Sequence, residues 1–349
     1  MTEAMPAGRS ESGTRGSAFD RLGPLEMTAA VEAALGGRGR LNGTVTAYPS
    51  YVNRVYGFGL DEGGDIIAKF YRPGRWSRAA VLEEHRFVMD CAEAELPVVA
   101  PMPLATGETL GELCLDGDGT EGGPVLFFAL FPKRGGRNFD AERGEDWLRL
   151  GGLVARCHVA GDLRPSPNRL RCDPRSLTAS LAQGLLDQGL VHPKLEERFA
   201  RLCSETLEYV SPLFSGLHFG RIHGDCHRGN ILDRPGEGLL LIDFDDMMVG
   251  PRVQDLWLLL PDHAATCRAE IAALVEGYEQ FKPFDPRELR LIESLRFMRM
   301  IYFLAWRSMQ RDDAWFAREF PDWGGEAFWI REMEDLQDQA DILREELEG

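Results

Sequence analysis

The chain has 349 residues, enough for two domains or one domain with two lobes, and its 44% hydrophobic fraction can build a substantial core. A formal charge of −17, from 39 basic and 56 acidic side chains, repels polyphosphate backbones and anionic lipid, which argues against nucleic-acid and membrane partners. Seven widely spaced cysteines without a CxxC pair suit neither a disulfide framework nor structural zinc, and no apolar run approaches a membrane span; a cytoplasmic protein with reduced thiols is expected.

Residues 1–24 carry Gly, Ser and Arg without an apolar stretch, so a disordered tail is expected there, neither signal peptide nor helix. A short helix over 25–35 stops at Gly36 and Gly37. Strand patterns follow at 44–48, 54–60 and 65–71, with the turn DEGG at 61–64 between the last two. Ser77 can cap a helix running to about 95, and further apolar runs at 98–104 and 125–131 flank a Gly/Asp-rich stretch at 117–123. From about 144 the apolar spacing turns helical, over 144–159, 194–210, 264–281 and 286–310, interrupted by strand signals around Ile222 and at 239–242. This predicts an α+β fold with a β-rich amino-terminal lobe (25–132) and a mainly α-helical carboxy-terminal lobe (133–349). Trp329, Met333, Leu336, Ala340, Leu343 and Leu347 form a seam that either dimerises a coiled coil or packs on its own lobe; the latter, in a monomer, is expected.

The strongest local signal is His223-Gly224-Asp225-Cys226-His227-Arg228-Gly229-Asn230, followed by an apolar strand ending in Ile242-Asp243-Phe244-Asp245-Asp246. Phosphoryl transfer from ATP needs a carboxylate beside the acceptor hydroxyl and hard oxygen ligands for Mg²⁺ on the phosphates. Asp225, Asn230 five positions later and Asp243 at the end of the next strand supply these in the order used by kinases. His223, Cys226 and His227 are metal-ligand types, but they sit too close together for a zinc-finger spacing and no fourth ligand is evident.

Lys69, one of only four lysines, lies in the strand-like run Ile66-Ile67-Ala68-Lys69-Phe70. On the following helix Val81, Glu84, Val88 and Cys91 share one face, so Glu84 falls on the inward stripe while Glu83 joins Arg86 and Asp90 on the polar side. An acid on a buried face needs a partner, and Lys69 is the natural one. No GxGxxG precedes this strand; residues 48–54, which include Ser50, occupy the place of a phosphate loop. Asp245 stands where an ordinary protein kinase has Gly, so activation-loop regulation is not assumed. The run 127–131 before Pro132 and Gly135-Gly136 is either the inter-lobe joint or a plain core strand, and Asp255 either caps its helix or holds the catalytic loop.

With these residues placed, the chain resembles the stress response kinase A family (YihE-type protein kinases), within the choline kinase and aminoglycoside phosphotransferase superfamily. The resemblance rests on SYVNRVY from Ser50, KFYRPGRW from Lys69, LEEHRF from Leu82, FPKRGGR from Phe131, HGDCHRGNIL from His223, GPRVQDLWLLL from Gly250 and RMIYFLAW from Arg299. It implies a bilobal protein-kinase-like fold and Ser/Thr kinase activity linked to stress survival. In it Asp225 would accept the proton, Asn230 and Asp243 would bind Mg²⁺, and Ser50 would contact ATP, while Lys69 and Glu84 complete the nucleotide site. Two other functions stay open: a small-molecule kinase whose aromatic and acidic pocket (Tyr302, Trp306, Trp323, Phe328, Trp329, Asp245, Asp246) takes an amino alcohol or aminoglycoside, and a nucleotide-binding module without turnover.

Overall fold

The computed structural model describes residues 22–50, 52–115, 125–313 and 315–348; most of the expected tail and the stretch 117–123 lie outside them. Leu22 is buried beside helix α1 (Pro24–Leu35). Strands β1 (Leu41–Tyr48), β2 (Arg54–Leu60) and β3 (Asp65–Phe70) precede helix α2 (Arg78–Glu93). Strands β4 (Gly111–Cys114) and β5 (Val125–Pro132) then complete an antiparallel sheet in the order β1-β2-β3-β5-β4.

Alternation along the strands decides what each face does. Ile66, Ala68 and Phe70 of β3 and Leu126, Phe128 and Leu130 of β5 bury one face against Met27, Val31 and Leu35 of α1. Lys69, between Ala68 and Phe70, therefore takes the other face, opposite Ala129 in the ladder, where Tyr71 and Ala129 pack with Val81 of α2. Residues 98–104, the apolar run before the Gly/Asp-rich stretch, form an irregular connection whose one bridge joins Val98 to Leu241. Pro97, Pro101 and Pro103 lack the N–H groups that a ladder needs.

Helix α2 serves both lobes. Ser77 caps it, its side chain accepting the Ala80 N–H at 3.2 Å. Val81 packs under the sheet, whereas Phe87, Val88 and Cys91 belong to the carboxy-terminal core, with Phe87 edge-on to Phe244 at 5.4 Å. Asp90, expected on the polar side, is buried instead: Arg221 donates to its Oδ2 at 2.7 Å while Arg86 and Arg164 hold Oδ1. Its partner Arg221 is remote in sequence, so the helical period could not reveal the pairing.

Residues 133–136 connect β5 to the carboxy-terminal lobe. There β6 (Arg137–Asn138), β8 (Ile231–Arg234) and β9 (Gly238–Leu241) form a small sheet, and β7 (Gly220–Ile222) pairs with β10 (Met248–Gly250). Around them lie α3 (Gly144–Gly161), α4 (Ala179–Asp187), α5 (Glu196–Val210), α6 (Val253–Trp257), α7 (Arg268–Glu279), α8 (Ile292–Ser308), α9 (Phe316–Glu319) and α10 (Glu326–Glu348). The pattern over 286–310 splits, because Asp285 accepts the Arg287 N–H and Pro286–Leu291 forms a 3-10 turn before α8. The α10 seam is consumed within its own lobe: Trp329, Met333, Leu336, Ala340 and Leu343 are buried, and Trp329 meets Phe199 of α5 edge-on. No helix among the described residues is long and apolar enough to cross a membrane.

Helices α3 and α7 touch backbone to backbone. A methyl group on Gly151 would overlap the Leu274 carbonyl, and one on Gly277 the Leu148 carbonyl. Gly277→Ala should force the helices apart and cost about 1–3 kcal/mol, read as a lower urea midpoint. Glu288 offers a pH test. Its carboxylate accepts the Val253 N–H at 2.9 Å at the start of α6, and burial pushes it from 4.5 up to about 7. The folded chain then holds this proton more tightly than the unfolded chain, so stability falls as pH rises from 4.5 to 7. Glu288→Gln should remove that part of the slope, improving relative stability at pH 8 over pH 4 by roughly 1–3 kcal/mol, measured by denaturation at both pH values.

Candidate active site

Burial and spacing bring Lys69 and Glu84 together. Glu84, 2% exposed, approaches Lys69 Nζ with Oε1 at 3.6 Å and accepts the Tyr71 hydroxyl at 3.1 Å. Lys69 is nearer still to Asp245 (3.1 Å) and Asp243 (3.2 Å), so Glu84 is one of three carboxylates around it. Burial alone would push the ammonium down, but Asp245, Glu84 and Asp243 together hold its pKa well above the ordinary value. Burial pushes Glu84 up against the opposing pull of Lys69. Burial also drives the neighbouring His85 down to about 3, leaving a neutral ring 2.9 Å from the Tyr71 hydroxyl.

Asp245 is the centre of a larger cluster. Arg75, from the loop after β3, pairs with Asp245 through Nη1 and donates to Asp246 through Nη2 at 2.5 Å. Tyr302 of α8 donates to the same Asp246 oxygen at 2.6 Å. Arg169, stacked 3.8 Å over the Trp76 ring, donates to the carbonyls of Asp245 and Met247 and lies 3.9 Å from Glu84. Asp245 is thus a buried structural acid. Phe328 and Trp329 are core residues, so the aromatic and acidic pocket expected for a cation does not assemble as drawn.

Beside this cluster lies the catalytic-motif loop. Asp255 of α6 accepts the backbone N–H groups of His223 (2.7 Å) and Gly224 (2.8 Å), and its Oδ2 is 2.9 Å from His158 Nε2. Of the two roles open to Asp255, the structure selects the one that holds the loop. Gly224 has φ +82, and a side chain there would strike the Asp246 carbonyl, so loop and strand end approach as only Gly allows. His223 Nε2 donates to the Ile242 carbonyl (2.9 Å), the Ile242 N–H donates to the Asn230 carbonyl (3.0 Å), and Asn230 Nδ2 donates to the Asp225 carbonyl (2.9 Å). These bonds lock Asp225, Asn230 and Asp243 into one unit. Asp243 has a left-handed backbone (φ 61) and a side chain 55% exposed.

Asp225 faces Arg299, which the sequence did not single out, and His227, which it offered only as a metal-ligand type. Arg299 of α8 donates to its Oδ1 at 2.5 Å, and His227 Nε2 lies 3.5 Å from Oδ2. Burial pushes this carboxyl up, but His227 and Arg299 outweigh it and hold the group well below the usual range. Arg75 and Arg299 were visible only as members of the KFYRPGRW and RMIYFLAW motifs. Ser50 is half-buried in the β1–β2 connection, and Val55 near the start of β2 pairs with Lys69. No hydrogen bond among the described residues ties Ser50 to the cluster.

A family profile described as the phosphotransferase enzyme family matches residues 44–292. The chain belongs to that family. It is 36% identical over 314 residues to stress response kinase A of Escherichia coli (strain K12), covering 88% of this chain and 90% of that one. It is 35% identical over 302 residues to the serine/threonine protein kinase RdoA of Salmonella typhimurium, covering 86% and 88%. Among solved structures it is similar to the amicoumacin kinase hAmiN in complex with AMP-PNP, Ca²⁺ and Ami (TM-score 0.72, 17% identity, 92% of this chain and 95% of that chain). It is also similar to spectinomycin phosphotransferase APH(9)-Ia with ADP and spectinomycin (TM-score 0.62, 11% identity, 93% and 98%). The bilobal α+β arrangement is therefore a kinase-like fold, and this phosphotransferase is ATP-dependent. Within it, Asp255→Asn exchanges an acceptor oxygen for a donor facing buried N–H groups. A loss of about 1–3 kcal/mol and a displaced loop are expected, checked by thermal denaturation together with phosphotransfer rate.

Proposed function

We propose that this phosphotransferase is a Ser/Thr protein kinase of the stress-response type, moving the γ-phosphoryl group of ATP to a protein hydroxyl. The observation that carries it is the state of the acids near Asp225. Asp245 and Asp246, the side chains that a cationic amino alcohol or aminoglycoside would need, are already spent on Lys69, Arg75 and Tyr302. Arg299 adds positive charge beside Asp225 itself. A polycationic acceptor would meet repulsion there, whereas a neutral Ser or Thr hydroxyl would not. The relatives' names point the same way.

In this reading Asp225 accepts the hydroxyl in hydrogen bond and takes its proton as the O–P bond forms. Lys69, steadied by Glu84 and Asp245, offers a fixed ammonium to the phosphates, and Ser50 contacts ATP from the β1–β2 connection. Asn230 and Asp243 would hold Mg²⁺, which neutralises phosphate charge when bound. The donor set suits such an ion. Asn230 spends its amide nitrogen on Asp225, leaving the amide oxygen without a hydrogen bond among the described residues. Around Lys69 the four carboxylates Glu84, Asp243, Asp245 and Asp246 face three cations, Lys69, Arg75 and Arg169, and Asp243 is the exposed acid left over. No group of three or more His, Cys, Asp or Glu among the described residues forms a metal cage, in keeping with an ion that completes its shell with water and phosphate. We also assign the protein to the cytoplasm as a monomer, since six of its seven unpaired cysteines are buried thiols and the α10 seam is already occupied.

Asp225→Asn should lower turnover by roughly 10²–10⁴ while nucleotide affinity stays within about threefold, because Asp225 is not among the phosphate or metal ligands. Radiolabelled phosphate transfer to a generic protein acceptor, run beside a panel of amines and sugars with Mg²⁺ or EDTA, checks both the base and the acceptor class. Labelling confined to the amines or sugars would replace the protein-kinase reading, and an unaffected Asp225→Asn would remove the base.

A further inference from the structure

Arg299 is partly buried with its guanidinium beside Asp225. It stands on α8 and makes one side-chain hydrogen bond among the described residues, Nη2 to Asp225 Oδ1 at 2.5 Å, and its side chain remains 24% exposed. Its Nε and Nη1 make no hydrogen bond among the described residues. The same face of α8 carries Tyr302, three residues on, whose hydroxyl is committed to Asp246 and whose ring lies 5.6 Å from the Arg299 guanidinium. On the other side of Asp225, His227 is 45% exposed and 3.5 Å away. The wall beside the reactive carboxylate is therefore a guanidinium with spare donors and an imidazole, while the carboxylates next to it are paired.

We infer that Arg299 is a specificity residue that selects acceptor hydroxyls adjoined by a carboxylate, such as a Ser or Thr next to Asp or Glu, and rejects those adjoined by a cation. This rests on the protein-kinase reading above and deepens it. A hydroxyl engaged by Asp225 lies about 2.6–3.2 Å from that carboxylate. The neighbouring residue of an acceptor chain is one Cα step of about 3.8 Å away, within the span of a guanidinium bonded to the same carboxylate. A fork of N–H donors matches a carboxylate in geometry as well as charge. The net charge of −17 opposes acidic acceptors at long range, but screening over about 8 Å at physiological salt leaves the local pair in control.

The experiment compares kcat/KM for Ser peptides that differ only at the residue beside Ser (Asp, Ala or Arg), with a generic protein acceptor alongside, for the wild type, Arg299→Met and Arg299→Glu. The wild type should favour the Asp peptide over the Arg peptide by about tenfold or more, the discrimination that one charge-assisted hydrogen bond sustains. Arg299→Met should bring the three peptides within about threefold of one another, and Arg299→Glu should reverse their order. The wild-type series alone is decisive if either variant fails to fold. Labelling that is blind to the neighbouring charge, or a loss in Arg299→Met equal for all three peptides, overturns the inference and leaves the protein-kinase reading standing. Failure to label any peptide or protein, while an amine or sugar acceptor is phosphorylated, overturns both.

Discussion

Asp245 and the cations that enclose it hold the two lobes in one arrangement. A buried carboxylate is costly unless it is paired, and this one is paired from two directions, by Lys69 in the sheet and Arg75 in the loop that follows it. Arg169 covers its backbone carbonyl from the carboxy-terminal lobe. Each partner is immobilised in turn: Arg75 by Asp246, Arg169 by the Trp76 ring, Lys69 by Glu84 and Asp243. Removing any one member would strand a buried charge, so the cluster behaves as a unit. Where an ordinary kinase places Gly after the metal-binding Asp and Phe, and so allows that segment to turn, this chain places the anchor.

The second constraint is the double allegiance of α2. Its first turns pack under the sheet and its last turns are embedded among α3, Phe244 and Arg221. The buried Asp90–Arg221 pair pins its far end. Glu84 sits between these two regions, so its distance to Lys69 is set by packing in both lobes at once. A helix tied in this way has little freedom to swing, in contrast with kinases whose equivalent helix moves during activation.

Charge is distributed unevenly with respect to function. The chain as a whole is strongly acidic, yet Asp225 is paired with Arg299, and Asp245 and Asp246 nearby are paired with Lys69 and Arg75. Net charge and local pairing thus act on different scales: the first is screened within about 8 Å at physiological salt, while the second is set by contacts of 2.5 to 3.1 Å inside the site.

The sequence alone determined what depends on short spacing and local period. The order of Asp225, Asn230 and Asp243 is carried by one loop and one strand. Strand alternation at Lys69 and helical spacing at Glu84 were enough to aim the two at a common space. The limits appear where a partner is distant in the chain or a backbone donor is missing. Prolines turned the apolar run at 98–104 into a connection without a ladder, and Asp90 was drawn into the interior by an arginine 131 residues away. The anchoring of Asp245 by Arg75 across 170 residues, and the seating of Arg299 on Asp225 across 74, were decided only by the tertiary structure. The physical reason is that a salt bridge has no sequence period: any arginine can meet any aspartate, and only the packed core determines which ones do.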